Sequence, residues 1–148
     1  MPHKTPLGYV EIRVFAHATE DQEKVLTAVR NTLPTEIAEN IIFQKTNLTG
    51  HHGNPITLFQ TKITNKQALP LILEKLASTL NALDKEALNS KMKLHLEKHN
   101  LYLRFNKQAA YMGKLRLSSN DPIHFKIHFK NKTPEEITTL CRETGLLP

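Results

Sequence analysis

The sequence predicts an α+β fold, a mixed and mostly antiparallel sheet packed with helices. Three observations carry this. Tyr9–Phe15 and Ile123–Phe129 alternate apolar and polar residues with the period of half-buried strands. Capped stretches with helical spacing of leucine, isoleucine and valine separate the strand-like runs. The connections between neighbouring strands are mostly turn-length, which suits hairpins better than the long crossovers of a parallel sheet.

Taken in order, Val10, Ile12 and Val14 alternate with Glu11 and Arg13, a strand with one buried face. Thr19-Glu20-Asp21-Gln22 has the form of a capping box, and Val25, Leu26, Val29 and Leu33 follow at helical spacing until Pro34. Asn40–Gln44 is rich in β-formers and predicts a second strand. Gly50–Pro55 is a turn leading into a third strand over Ile56–Ile63. Asn65 can cap a helix through Leu69, Ile72, Leu73, Leu76 and Leu80, with Pro70 in its first turn. Leu83–Leu88 predicts a short further helix. From Lys91, the alternation of Met92, Leu94 and Leu96 predicts a hairpin with Leu101–Phe105 across Lys98-His99-Asn100, although a helix through Asp84–Glu97 competes with it. Lys114–Leu117 and Ile123–Phe129 predict a second hairpin, whose last strand turns His124, Lys126, His128 and Lys130 outward. Thr133-Pro134-Glu135-Glu136 caps a final helix ending near Gly145. The expected order is β-α-β-β-α, then β-β-(short α)-β-β-α. It forms a single domain over 1–148, or two lobes over 9–82 and 91–145 sharing a core.

The chain has 148 residues, 39% of them apolar and 23% charged, with a net charge of +6, and is large enough to bury a real core. No apolar run reaches the roughly 18 residues of a membrane span, and the N-terminus lacks the apolar centre of a signal peptide. Cys141, the only cysteine, excludes an internal disulfide and suits a reducing cytoplasm, the expected location. The charge is segregated. Residues 1–90 are neutral overall, residues 91–132 carry +8, and residues 133–148 carry −2. Such a field attracts phosphate-rich partners, although an inert basic surface has the same composition.

Motifs add exclusions. Gly50-His51-His52-Gly53 matches the GxxG loop that clamps phosphates between two helices, but here it lies between strand-like runs and reads as a hairpin turn. His124 and His128 are about 13 Å apart on a strand, too far to share a metal; His95 and His99 could chelate only if that stretch is helical, and His51-His52 has no third ligand in sequence. No nucleophile elbow, P-loop or HExxH motif occurs, so neither catalysis, metal nor cofactor is expected. Tryptophan and the glycine–aromatic signature of a stacking platform are also missing.

The segment Lys98–Leu117 has a polar middle, Asn106–Tyr111, that presents Lys107, Gln108 and Tyr111 either to a ligand or back into the fold. Together with Ala16–Val25 and Gly50–Ile56, the stretch Leu101–Tyr111 resembles, in order, three blocks of the archaeal predicted exosome-subunit, RNA-binding protein family. That family's fold is related to the double-stranded-RNA-binding domain. A related archaeal RNA-binding family, with a fold like a large-subunit ribosomal protein, carries the same Lys-Gln-Ala-Ala-Tyr type of block. The resemblance covers residues 9–130, departs from it at His52 (an aromatic tyrosine is expected) and at Asn106 (an aspartate is usual), and implies RNA binding linked to RNA processing or degradation. The expected partners are RNA, structured or double-stranded, and exosome- or ribosome-related proteins. The expected contacts are Arg104, Lys107, Gln108, Tyr111, Lys114, Arg116, Lys126, Lys130, His51 and His52, all non-catalytic. An assembly module meeting an acidic partner is the alternative, and a small ribonuclease the last choice.

Overall fold

The computed structural model describes residues 6–148 and, at His51, the backbone only; Met1–Thr5, where the leader question falls, lie outside the described residues. Strand β1 (Leu7–His17) buries Leu7, Val10, Ile12, Val14 and Ala16, as its alternation requires. Both its edges are paired, to β3 (Pro55–Ile63) on one side and β6 (Ile123–Phe129) on the other. It is therefore an inner strand of a six-stranded antiparallel sheet ordered β2-β3-β1-β6-β5-β4. The remaining strands are β2 (Gln44–Thr49), β4 (Leu96–Glu97) and β5 (Asn100–Phe105).

Helices α1 (Gln22–Asn31), α2 (Thr35–Ala38), α3 (Ala68–Thr79), α4 (Ala82–Ser90), α5 (Lys107–Tyr111) and α6 (Pro134–Thr144) complete the fold. Val25 and Val29 of α1, Leu69, Ile72 and Leu76 of α3, and Ile137 and Cys141 of α6 join the inward residues of the strands in one apolar core. Phe105 and Phe125 meet edge to face within it, 5.3 Å between ring centres. The helices thus cover one face of the sheet. On the other face the alternate residues of β1, β6 and β5 remain partly or fully exposed.

The last helix forms as its sequence dictates. Thr133 and Glu136 satisfy each other's backbone N–H groups, Pro134 occupies the first turn, and Gly145 closes the helix at φ 88°. Asn65 Oδ1 accepts from the N–H groups of Gln67 and Ala68, ahead of α3.

Elsewhere the structure corrects the reading. The cap of α1 is Asp21, accepting from Glu23 N at 2.9 Å, and Thr19 is exposed outside the helix. Strand β2 begins where Asn40–Gln44 was expected to end. The turn around the 3₁₀ segment His51–Gly53 pairs Thr49 with Pro55 and Gln44 with Gln60, and a hairpin's register propagates outward from its turn. GxxG is therefore a strand-to-strand turn. Gly50 packs so closely that a Cβ there would collide with the Ile56 side chain. Residues 91–97 are mostly neither the strand nor the continuous helix expected. Asn81 caps α4, which stops at Ser90, a 3₁₀ turn buries Met92, and only Leu96–Glu97 pairs with β5. Lys114–Leu117 is not a hairpin partner of β6. Leu117 bridges Phe105 and Leu115 bridges Leu80, so this segment borders the free edge of β5.

Candidate functional site

The uncovered sheet face is built from register. Tyr9, Glu11 and Arg13 of β1 lie opposite His128, Lys126 and His124 of β6. His128, Lys126 and His124 lie in turn opposite Asn100, Tyr102 and Arg104 of β5. On the other flank, Glu11 pairs with Lys62 and Arg13 with Gln60 of β3. The four central strands therefore present Arg13, Lys62, Arg104 and Lys126 against the single carboxylate of Glu11.

One end of this face is tightly organised. Tyr9 stacks on His128 with ring centres 4.6 Å apart, and Lys62 Nζ lies 4.3 Å from the Tyr9 centroid. His128 Nδ1 also meets Asn100 Oδ1 at 2.8 Å. Burial first, then the charges of His99, Lys126 and Lys62, hold the His128 imidazole below its ordinary pKa. Lys126 pairs with Glu11 at 3.6 Å, and its pKa is raised by Tyr9 first, against desolvation, and then by Tyr102 and Glu11. A bulge at Gly8 makes room for this stack, since a Cβ there would lie 2.7 Å from His128 Cδ2.

The other end is not neutralised. Arg13 and Arg104 flank His124 and, among the described residues, neither guanidinium has a carboxylate partner. Burial and the two guanidiniums keep His124 below the usual imidazole pKa, with Asp121 pulling the other way. A depression of about 270 Å³ beside it is lined by Glu11, Arg13, Tyr102, His124, Phe125 and Lys126.

The expected contacts fall on different surfaces. Arg104 and Lys126 are on this face, and Lys130 follows β6, its backbone N–H donating to Pro6. Arg116, one residue from the Phe105–Leu117 bridge, takes the same side of the sheet as Arg104 by alternation, with Lys114 exposed just before it. Gln108 and Tyr111 lie elsewhere, on α5, along a groove against α1 of about 460 Å³. His52 is at the tip of the β2–β3 hairpin at φ 60°, and the side chain of His51 is outside the described residues.

Lys107 is the correction that matters most. Its side chain is only 10% exposed, and Nζ donates to Phe15 O at 2.6 Å, Asp121 Oδ2 at 2.8 Å and Glu20 at 3.0 Å. Those three acceptors leave the ammonium no room for a phosphate. It is an internal staple joining the end of β1, the turn before α1 and the loop before β6. His17 Nε2 completes the cluster 3.0 Å from Asp121. Burial would raise the Asp121 pKa, but the hydrogen bonds and charges of Lys107 and His17 outweigh it and lower it. His17, Glu20 and Asp121 have the donor set and spacing for a cation, but the Lys107 ammonium already binds both carboxylates.

Asn106 is equally local. Its Oδ1 accepts from Ala109 N at 2.8 Å, capping α5, a task asparagine and aspartate perform alike. Its difference from the usual aspartate therefore removes no structural role. Sequence reasoning missed Tyr9, Arg13, Lys62 and Tyr102. Arg13 and Lys62 belong to the half of the chain with no net charge, and only strand alternation hinted that Arg13 faces outward.

A family model described as RNA binding matches residues 9–129. RNA-binding protein PAB1135 of Pyrococcus abyssi is 36% identical over 134 residues, which cover 88% of this chain and 86% of that protein. The uncharacterized protein MJ0213 of Methanocaldococcus jannaschii is 33% identical over 148 residues, covering 94% of this chain and 99% of that one. The crystal structure of AF2318 from Archaeglobus fulgidus, assigned to DUF54, superposes with a TM-score of 0.78 at 25% identity, covering 93% of this chain and 99% of that one. With a family match that spans most of its length and archaeal relatives along nearly all of it, the chain belongs to the RNA-binding family whose model it matches.

Proposed function

We propose that this chain is a non-catalytic RNA-binding protein whose interface is the uncovered face of the sheet. The observation that carries the reading is the cross-strand cluster of Arg13, Lys62, Arg104 and Lys126 around one carboxylate, on a face no helix covers. Arg116, Lys114 and Lys130 extend it at the margins. Phosphate contacts by such side chains give affinity by releasing counterions, largely without regard to sequence. Chemistry is not part of the proposal. His124 and His128 are four residues apart on one strand, about 13 Å, too far to serve one phosphate as an acid–base pair. The role we assign is that of an accessory factor in RNA processing or degradation. Its association with an exosome or ribosome-related protein, like a kinship with the double-stranded-RNA-binding fold, rests on sequence resemblance alone.

The test is RNA binding by the full chain at two salt concentrations. Arg13→Ala combined with Arg104→Ala should weaken binding and reduce the slope of log affinity against log salt by about 1.4–1.8. An unchanged affinity and slope would place the interface elsewhere. Salt-dependent capture of an acidic protein without any RNA binding would favour the assembly module, and cleavage of the probe would favour a ribonuclease.

A further inference from the structure

The two ends of the uncovered face differ in how far their charges are satisfied. Lys126 has Glu11, Lys62 lies over Tyr9, and His128 has Asn100 and the Tyr9 ring. The row Arg13–His124–Arg104 has nothing comparable. Its members are direct cross-strand neighbours, so adjacent Cβ atoms are about 5 Å apart and both guanidinium forks can converge above the imidazole. Three potential cations in line, with no carboxylate bonded to any of them among the described residues, raise the local potential in a way that an anion relieves.

The neighbouring depression supplies the second half of the argument. Tyr102 lies directly opposite Lys126 and lines this hollow together with Arg13 and His124. Unlike Tyr9, whose ring is taken by His128 and Lys62, Tyr102 stacks on no other ring among the described residues. An aromatic ring one position along the strands from a phosphate site has the layout needed to receive the base attached to that phosphate.

We propose that Arg13, His124 and Arg104 form a phosphate subsite and that Tyr102 receives the base of the same nucleotide, so that the ligand is an unpaired nucleotide of single-stranded RNA. This rests on the RNA-binding reading and sharpens it. It differs from the expectation of structured or double-stranded RNA.

The site carries a proton linkage. His124 faces Arg13 from β1, Arg104 from β5 and Asp121 from the loop before β6, with Glu11 and Lys126 lining the same hollow. In the free protein, burial and the two guanidiniums favour the neutral imidazole. A bound phosphate reverses that balance, so binding takes up a proton and tightens as pH falls through the histidine range.

The experiment titrates the full chain with a short single-stranded oligoribonucleotide and with its duplex, at about pH 5.5 and about pH 8. Tyr102→Leu should weaken the single strand about five- to hundredfold and leave the duplex unchanged. Arg13→Gln and Arg104→Gln should each weaken the single strand about tenfold. His124→Gln should flatten the pH dependence while keeping binding at the higher pH. His128→Gln, whose ring is engaged by Tyr9 and Asn100, should leave the dependence intact. Equal affinity for both probes with no effect of Tyr102→Leu, or an unchanged pH slope in His124→Gln, would overturn the subsite while the RNA-binding reading stands. Failure of wild-type protein to bind either probe at low salt would remove both.

Discussion

Replacing Lys107 with methionine separates two roles that the sequence allowed for this residue. The substitution keeps the length of the side chain and removes the ammonium, leaving Phe15 O, Glu20 and Asp121 without their common donor. Removing one partner of a fully buried ion pair costs about 3–5 kcal/mol. Here Glu20 and Asp121 are 31% and 39% exposed and recover part of their hydration, which discounts the loss to about 2 kcal/mol. For a chain of this size that lowers Tm by about 4–8 °C.

The pH dependence has a definite sign. The Asp121 pKa is lowered in the folded protein, so its contribution is fully present above the ordinary value of 3.8 and is lost as pH falls through the lower folded value. Urea unfolding of wild type and Lys107→Met should therefore differ most near neutrality and converge as acid carries the pH below the ordinary carboxylate range. RNA affinity of the folded variant should stay within about twofold of wild type, because the ammonium does not reach the uncovered face. A variant as stable as wild type that loses RNA affinity would refute the staple and restore Lys107 as a phosphate ligand.

Two further outcomes test local parts of the fold. Cys141 is fully buried in α6 and burial pushes its thiol up to about 12, so a disulfide reagent at neutral pH should label it only at the rate of unfolding; rapid labelling of native protein would contradict its place in the core. Thr133→Ala breaks the reciprocal cap with Glu136 and should cost about 1 kcal/mol in chemical denaturation, with no change in RNA binding.

How much was legible depended on the distance over which each signal acts. The caps at Asn65 and Thr133, the closing Gly145 and the alternation in β1 and β6 are nearest-neighbour chemistry, and they appear where the residues require. The cap read at Thr19 falls instead on Asp21, two residues along. Lys107 meets Glu20 across 87 positions of the chain, a contact no local pattern reveals. Residues 91–97 were misread because Met92, Leu94 and Leu96 fit a strand as well as a succession of turns. Only packing buried Met92 and left Leu94 80% exposed.

The sequence by itself determined the α+β class, the antiparallel habit, the basic excess and the outward aspect of Arg104 and Lys126, because each follows from composition or a period of two along one strand. Tertiary structure alone decided which cations share a surface. Antiparallel pairing brought Arg13 and Lys62, from a half of the chain with no net charge, beside Arg104 and Lys126, and it set Tyr102 next to His124. The same folding placed two carboxylates and a carbonyl around Lys107 and withdrew it from the surface. Charge along a chain adds without regard to position, whereas the field a ligand meets depends on which charges the sheet aligns and which it has already paired.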